Sequence, residues 1–179
     1  MSAGHGHIDP SNKKIALLIA VLALVLAFSE TLGKAAQTNA LSLNIEASNL
    51  WSFFQAKTIR QTVLRTAADQ TEAISPASTK LIEQWRKTAQ RYQTEPETGE
   101  GRDELMARAK EAEKKRDRAM AAYHQYELAS AAVQIAIVLA SAAIVTGAMV
   151  LAWIGAGLGV VGVAFCLIGF FAPAAVHLF

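Results

Sequence analysis

The residues of this chain whose types and spacing could do chemistry are few. Glu30 and Glu127 end two long charge-free runs. Lys34 follows Glu30 by four residues, the favourable order for a Glu–Lys pair on a helix. Gln134 lies seven residues past Glu127, inside an apolar run where an amide needs a hydrogen-bond partner. These four predict a polar clasp that pins helices together at a membrane face. The sharper alternative is a ring of carboxylates, contributed by several chains, that concentrates cations at a pore mouth. Trp51, Phe53, Phe54, Gln55 and Lys57 form the densest aromatic cluster outside the apolar runs. Core packing is the default for such a cluster, and a partner-binding surface is the alternative, because aromatics beside a cation make binding hot spots. His5 and His7 form an HxH pair in a Gly-rich segment, short of the three or four ligands that a metal site needs. Gly157-Leu158-Gly159-Val160-Val161-Gly162 fits GxGxxG, but no βαβ pattern surrounds it and no acidic residue follows it. No Ser/His/Asp, Cys/His, paired-acid or phosphate-loop arrangement can be assembled. The reading is therefore a non-enzymatic protein with no catalytic, metal or cofactor-binding residues.

The elements that must position these residues follow from how charge is distributed. The chain has 179 residues, 53% hydrophobic and 18% charged, with a net charge of +2 and mean hydropathy +0.26. No charge falls in Ile15–Ser29 or in Leu128–Phe179, so the rest is densely charged. That pattern excludes an ordinary soluble domain and predicts a membrane protein with a polar helical part. The small net charge and the lack of aromatic–basic interleaving argue against nucleic acid as a partner. The single cysteine, Cys166, excludes a disulfide within the chain.

Ile15–Phe28 follows Lys13-Lys14 and, continued to Gly33, is long enough for a span. A signal peptide cleaved after Ala27-Phe28-Ser29 competes with this reading; we read a retained anchor. Leu128–Ile154 and Gly155–Ala172 together hold about 45 apolar residues, too many for one span at 1.5 Å per residue across about 30 Å. They predict a hairpin turning near Trp153-Ile154-Gly155. Each span has a stripe of small residues at helical spacing: Ala16, Ala20, Ala23 and Ala27 in the first, Ala129 to Gly147 in the second, and Gly155, Gly159, Gly162, Cys166 and Gly169 in the third. Small residues let helices approach closely in lipid, within one chain or between chains.

The predicted fold is all-α. It has a tail over 1–14, a first span over 15–33, a helical extramembrane hairpin or bundle over 34–127, and spans over 128–154 and 155–176. Within the middle segment, Ser75-Pro76 reads as an N-cap with proline at the first helical position, and 94–101 reads as a loop. The outgoing helix is apolar on two sides. Leu43, Ala47, Leu50, Phe54 and Leu64 share one face; Ala56, Ile59, Val63 and Ala67 lie opposite. The returning helix offers a thin heptad-like seam of Leu105, Ala109, Ala112, Arg116, Ala119, Tyr123 and Tyr126. Two apolar faces need cover on both sides, which favours assembly with other chains; the alternative is that the helix of Leu81, Ile82, Trp85, Ala89 and Tyr92 covers the second face.

Two stretches resemble a bacterial membrane-protein family catalogued as domain of unknown function 4337. One is Ala47–Arg60 (ASNLWSFFQAKTIR), similar to the family's aromatic-Gln-Ala-Lys segment. The other is His124, Glu127 and Val133–Ile137, similar to its His/Glu entry into the second span. The resemblance implies one N-terminal span, a central helical segment and a C-terminal hairpin, and no particular activity. It also implies a basic cluster in a cytoplasmic hairpin turn, which Ala152–Gly159 lacks here. Lys13 and Lys14 favour a cytoplasmic N-terminus, whereas Lys110, Lys114, Lys115, Arg116 and Arg118 favour a cytoplasmic middle segment. The first helix usually dominates, and long loops count less. The expected placement is the bacterial inner membrane, N-terminus inside and central helices in the periplasm. The expected partners are the lipid bilayer and further copies of the chain or a larger membrane complex. The expected role is structural or scaffolding; the runner-up is an oligomeric pore or transport accessory.

Overall fold

The computed structural model describes residues 10–175. It is all-helical: α1 Pro10–Ile74, α2 Thr79–Gln93, α3 Arg102–Thr146 and α4 Met149–Phe171, followed by a short 3-10 turn, Pro173–Ala175. No strand occurs among the described residues. Three of the helices, α1, α3 and α4, are long and apolar enough to cross a membrane. His5, His7 and most of the expected tail lie outside the described residues, as does His177.

Helix α1 is unbroken for 65 residues. Gly33 and the asparagines at 39 and 44 do not interrupt it, because a single residue of low propensity costs only about 1 kcal/mol in a long helix. It ends where Ser75 N–H bonds to Thr71 O and Pro76 follows. Pro76 is not the first residue of α2, as the sequence suggested. Ser78 N–H closes a turn on Ser75 O, and α2 begins after Ser78, whose carbonyl accepts from Leu81 and Ile82.

The chain divides into two compact units, Ala40–Asp117 and the remainder. In the first, Ala47 and Leu50 of α1 pack on Leu105, Ala109 and Ala112 of α3, with Trp51, Phe53 and Phe54 partly buried around them. This is the face and the seam that periodicity predicts. Helix α2 buries Ile82 and Ala89. It does not cover the second apolar face of α1: Ile59 stays 65% exposed and Val63 61%. The loop between α2 and α3 is tied to the first turn of α3. Thr94 Oγ1 donates to Asp103, and Glu95 N–H donates to Glu104.

In the other unit, α3 carries Ala129, Val133, Ala136, Ala140 and Ala143 fully or almost fully buried. Opposite them, α4 buries Gly155, Gly159, Gly162 and Gly169. The approach is close enough to require glycine. A Cβ on Gly155 would lie 2.9 Å from Ala136 O, and one on Gly162 would lie 3.1 Å from Ala129 O. Ile15 and Leu22 of α1 join this core. Ala16, Ala20, Ala23 and Ala27 do not join this core and are exposed within the single chain. The larger Ile15, Leu22 and Ser29 occupy the contact side, since they lie on the opposite arc of the helix.

The turn between α3 and α4 falls at Gly147-Ala148, not near Trp153-Ile154-Gly155. Gly147 adopts φ +71° and its N–H bonds to Ala143 O. This is the left-handed glycine closure that ends many helices. The shift gives two apolar segments of more even length, each close to what a membrane crossing would need. Leu128–Thr146 is about 28 Å of helix, and α4 has 23 residues, against about 30 Å of hydrocarbon.

Candidate functional site

The Ala40–Asp117 unit is organised around Lys57. Residues 51, 54, 57 and 61 follow at helical spacing on the packed side of α1, so their side chains enter one layer. Lys57 is 5% exposed. Its Nζ lies 3.4 Å from Glu95 and 3.9 Å from Glu100. It also sits over two rings, 5.4 Å from the Phe53 centroid and 5.1 Å from that of Tyr92. Trp51 meets Phe54 edge to face, and Trp51 Nε1–H donates to Glu113 Oε1 at 2.9 Å. Arg102 stacks on Phe54 and donates to Gln61 and Gln93. Gln61, 2% exposed, donates to Ala89 O at 2.9 Å and to Gln93 Oε1 at 3.1 Å.

The structure thus brings Trp51, Phe53, Phe54 and Lys57 together and leaves Gln55 exposed, pointing away from them. Sequence reasoning missed Gln61, Tyr92, Glu95 and Arg102. The usable signal was local: Gln61 continues the Phe54–Lys57 spacing, and Arg102 opens α3 directly after the loop that holds Glu95. Most of its polar groups pair within the cluster, although the buried Arg102 Nε has no hydrogen-bond partner among the described residues. Its cations face carboxylates and rings, and no nucleophile sits beside a base.

The clasp residues pair differently from the expected scheme. Gln134 Nε2–H donates to Glu30 Oε1 at 3.3 Å, joining α3 to α1. Lys34 makes no ion pair with Glu30 among the described residues. Glu127 accepts from the Tyr123 hydroxyl and lies 3.6 Å from His124 Nδ1. The hydrogen bond to Glu127 raises the Tyr123 phenol above its ordinary value. Around these groups Ser29, Gln125 and Tyr126 are buried, a polar layer that the charge-free runs concealed. The Ser29 Oγ has no hydrogen-bond partner among the described residues.

An open depression of about 280 Å³ in the Ala40–Asp117 unit is lined by Arg65, Asp69, Arg86, Ala89 and Gln90. Glu72 and, less strongly, Asp69 occupy the Arg86 guanidinium and raise its pKa. No group of three or more potential metal ligands occurs among the described residues. Gly157–Gly162 is helical throughout, so its GxGxxG spacing forms no phosphate loop. Residues 11–172 match the family model described as "Domain of unknown function (DUF4337)". No curated protein and no solved structure matches the chain.

Proposed function

The chain belongs to this family of unknown function, and we propose that it is a non-enzymatic integral membrane protein that self-associates or joins a larger complex as a structural component. In this reading α1 enters the bilayer once, α3 and α4 form a two-span hairpin, and residues 40–117 stand outside it. The N-terminus is cytoplasmic and the Ala40–Asp117 unit periplasmic in a bacterial inner membrane. One observation carries the assembly reading. The small residues of α3 and α4 that are buried pack against each other and against Ile15 and Leu22 of α1, while Ala16, Ala20, Ala23 and Ala27 of α1 are left uncovered. In lipid, helices associate through close packing of small residues, so an uncovered Ala stripe favours a contact with another span. The Gln134–Glu30 hydrogen bond supports the clasp at Glu30, because it engages that carboxylate within the chain.

The test is the mass of the full chain in mild detergent and in lipid nanodiscs, with any copurifying protein identified. A species larger than one chain is expected, and Ala20→Leu with Ala23→Leu should shift it toward monomer. A monomer in both media overturns the reading. Protease access in intact spheroplasts tests the orientation; protection of residues 40–117 reverses it.

A further inference from the structure

We infer that the outer face of α1 within the Ala40–Asp117 unit is a parallel, in-register contact between two copies of this chain. The inference rests on the membrane placement and self-association proposed above, and names the surface that carries it outside the bilayer. Leu41, Ile45, Ile59 and Val63 are 61%, 54%, 65% and 61% exposed. At about 100° per residue they fall, with Ser52, within about 40° of arc. They therefore form one strip, on the side of α1 opposite Ala47, Leu50 and Lys57. Its composition is unusual for a water-facing helix. Glu46, Lys57, Arg60, Arg65, Asp69 and Glu72 all fall off the strip, although the unit is otherwise rich in charge.

The missing charge identifies the occupant. In a symmetric parallel pair, each residue near the axis faces its own copy. Any Lys, Arg, Asp or Glu there would meet a like charge, which is destabilising. An unrelated partner would impose no such rule and would tolerate charges matched by its own. Copies inserted through the same first span also enter this unit from the same side, which leaves parallel pairing as the available geometry. The area agrees with an interface that needs the membrane. From Leu41 to Ile74 the strip is about 50 Å long and about 10 Å wide. Two copies would bury about 1,000 Å² in total, the lower limit for a specific interface. Confinement to one bilayer raises the local concentration enough to make such a contact effective.

The test uses the full chain in lipid vesicles with the native thiol removed by Cys166→Ser. Ser52→Cys, at the centre of the strip, is expected to give a disulfide-linked dimer on mild oxidation. The bond needs Cα atoms within about 7 Å, which in-register pairing supplies. Lys110→Cys, exposed on α3, should stay monomeric under the same oxidation. Val63→Glu added to Ser52→Cys should reduce the cross-linked fraction at least tenfold with helicity unchanged, since Val63 has no role in the unit's own core. Equal cross-linking at positions 52 and 110, or cross-linking indifferent to Val63→Glu, overturns the inference. An oligomer in lipid that fails to cross-link through position 52 overturns this contact and leaves self-association standing. A chain that is monomeric in lipid overturns both.

Discussion

Lys57 is held between two carboxylates and two aromatic faces, and its removal separates the contributions of charge and volume. Lys57→Ala deletes the stem as well as the ammonium, leaving a void and removing the cation beside Glu95 and Glu100, and should destabilise the Ala40–Asp117 unit by about 3 kcal/mol. Lys57→Met keeps most of the volume. Because Glu95 and Glu100 retain access to water, it should cost about half as much. Urea unfolding followed by Trp51 and Trp85 fluorescence checks both; equal losses would assign the whole effect to charge. Tyr123 offers a pH-dependent counterpart. Its phenol is raised by the hydrogen bond to Glu127. The stabilisation is therefore fully present below the unfolded pKa of about 10 and is lost as pH rises through the higher folded value. Glu127→Gln should bring the Tyr123 titration down toward about 10, read by ultraviolet titration with Tyr123→Phe to assign the signal. At this scale the sequence was only partly legible. The i,i+4 rule paired Glu30 with Lys34, but Gln134, an amide in an otherwise apolar stretch of α3, donates to Glu30 instead. Local spacing holds no information about a partner about a hundred residues away.

Helix boundaries were legible where polar residues mark them and obscure where they do not. The loop over 94–101 and the start of α3 at Arg102 follow from Gly, Pro and acidic residues in sequence. In the apolar C-terminal run, glycines that pack and the glycine that ends a helix look alike. Gly147 differs from Gly155 only in its φ of +71° and in the open space, 4 Å or more, around the point where a methyl group would sit. Its conformation predicts that Gly147→Ala costs about 1 kcal/mol through left-handed strain alone. The packing glycines predict a larger effect by another route. Gly162→Leu drives a side chain into Val133 and toward Ala129 O, so α3 and α4 must separate. Gly157→Leu, on the open side with nothing within 4 Å, should be harmless. Thermal stability in mild detergent ranks the three, with Gly162→Leu worst and Gly157→Leu unchanged; a loss at 157 comparable to that at 162 would mean that the Gly157 side is covered as well.

At the scale of the whole molecule, the distribution of charge already separated two materials, and the fold divides the chain at nearby places: Asn39 to Ala40 and Asp117 to Arg118, about ten residues from the ends of the charge-free runs. The offset has a physical cause. Tyr126 is buried against Gly33 and Gly169, so the apolar unit extends past its charge-free segments by packing aromatic and small residues. The two units depend on different forces. Ala40–Asp117 relies on apolar burial from water and on the polar contacts of the buried Lys57 and Gln61. The remainder relies on close Ala–Gly packing and, in the membrane placement proposed above, on backbone hydrogen bonds that cannot be exchanged for water. Urea weakens the first set by solvating apolar and peptide groups, and it reaches the second poorly. In lipid nanodiscs, hydrogen exchange under rising urea should therefore release the amides of 81–93 and 103–115 while those of 129–145 and 150–170 stay protected. Since α3 contributes to both sets, its amides should divide along one continuous helix, the N-terminal half exchanging first. Loss of protection at a single urea concentration across all four ranges would mean that the chain unfolds as one cooperative body, and that the buried cluster at Lys57 and the Ala–Gly seam stabilise each other.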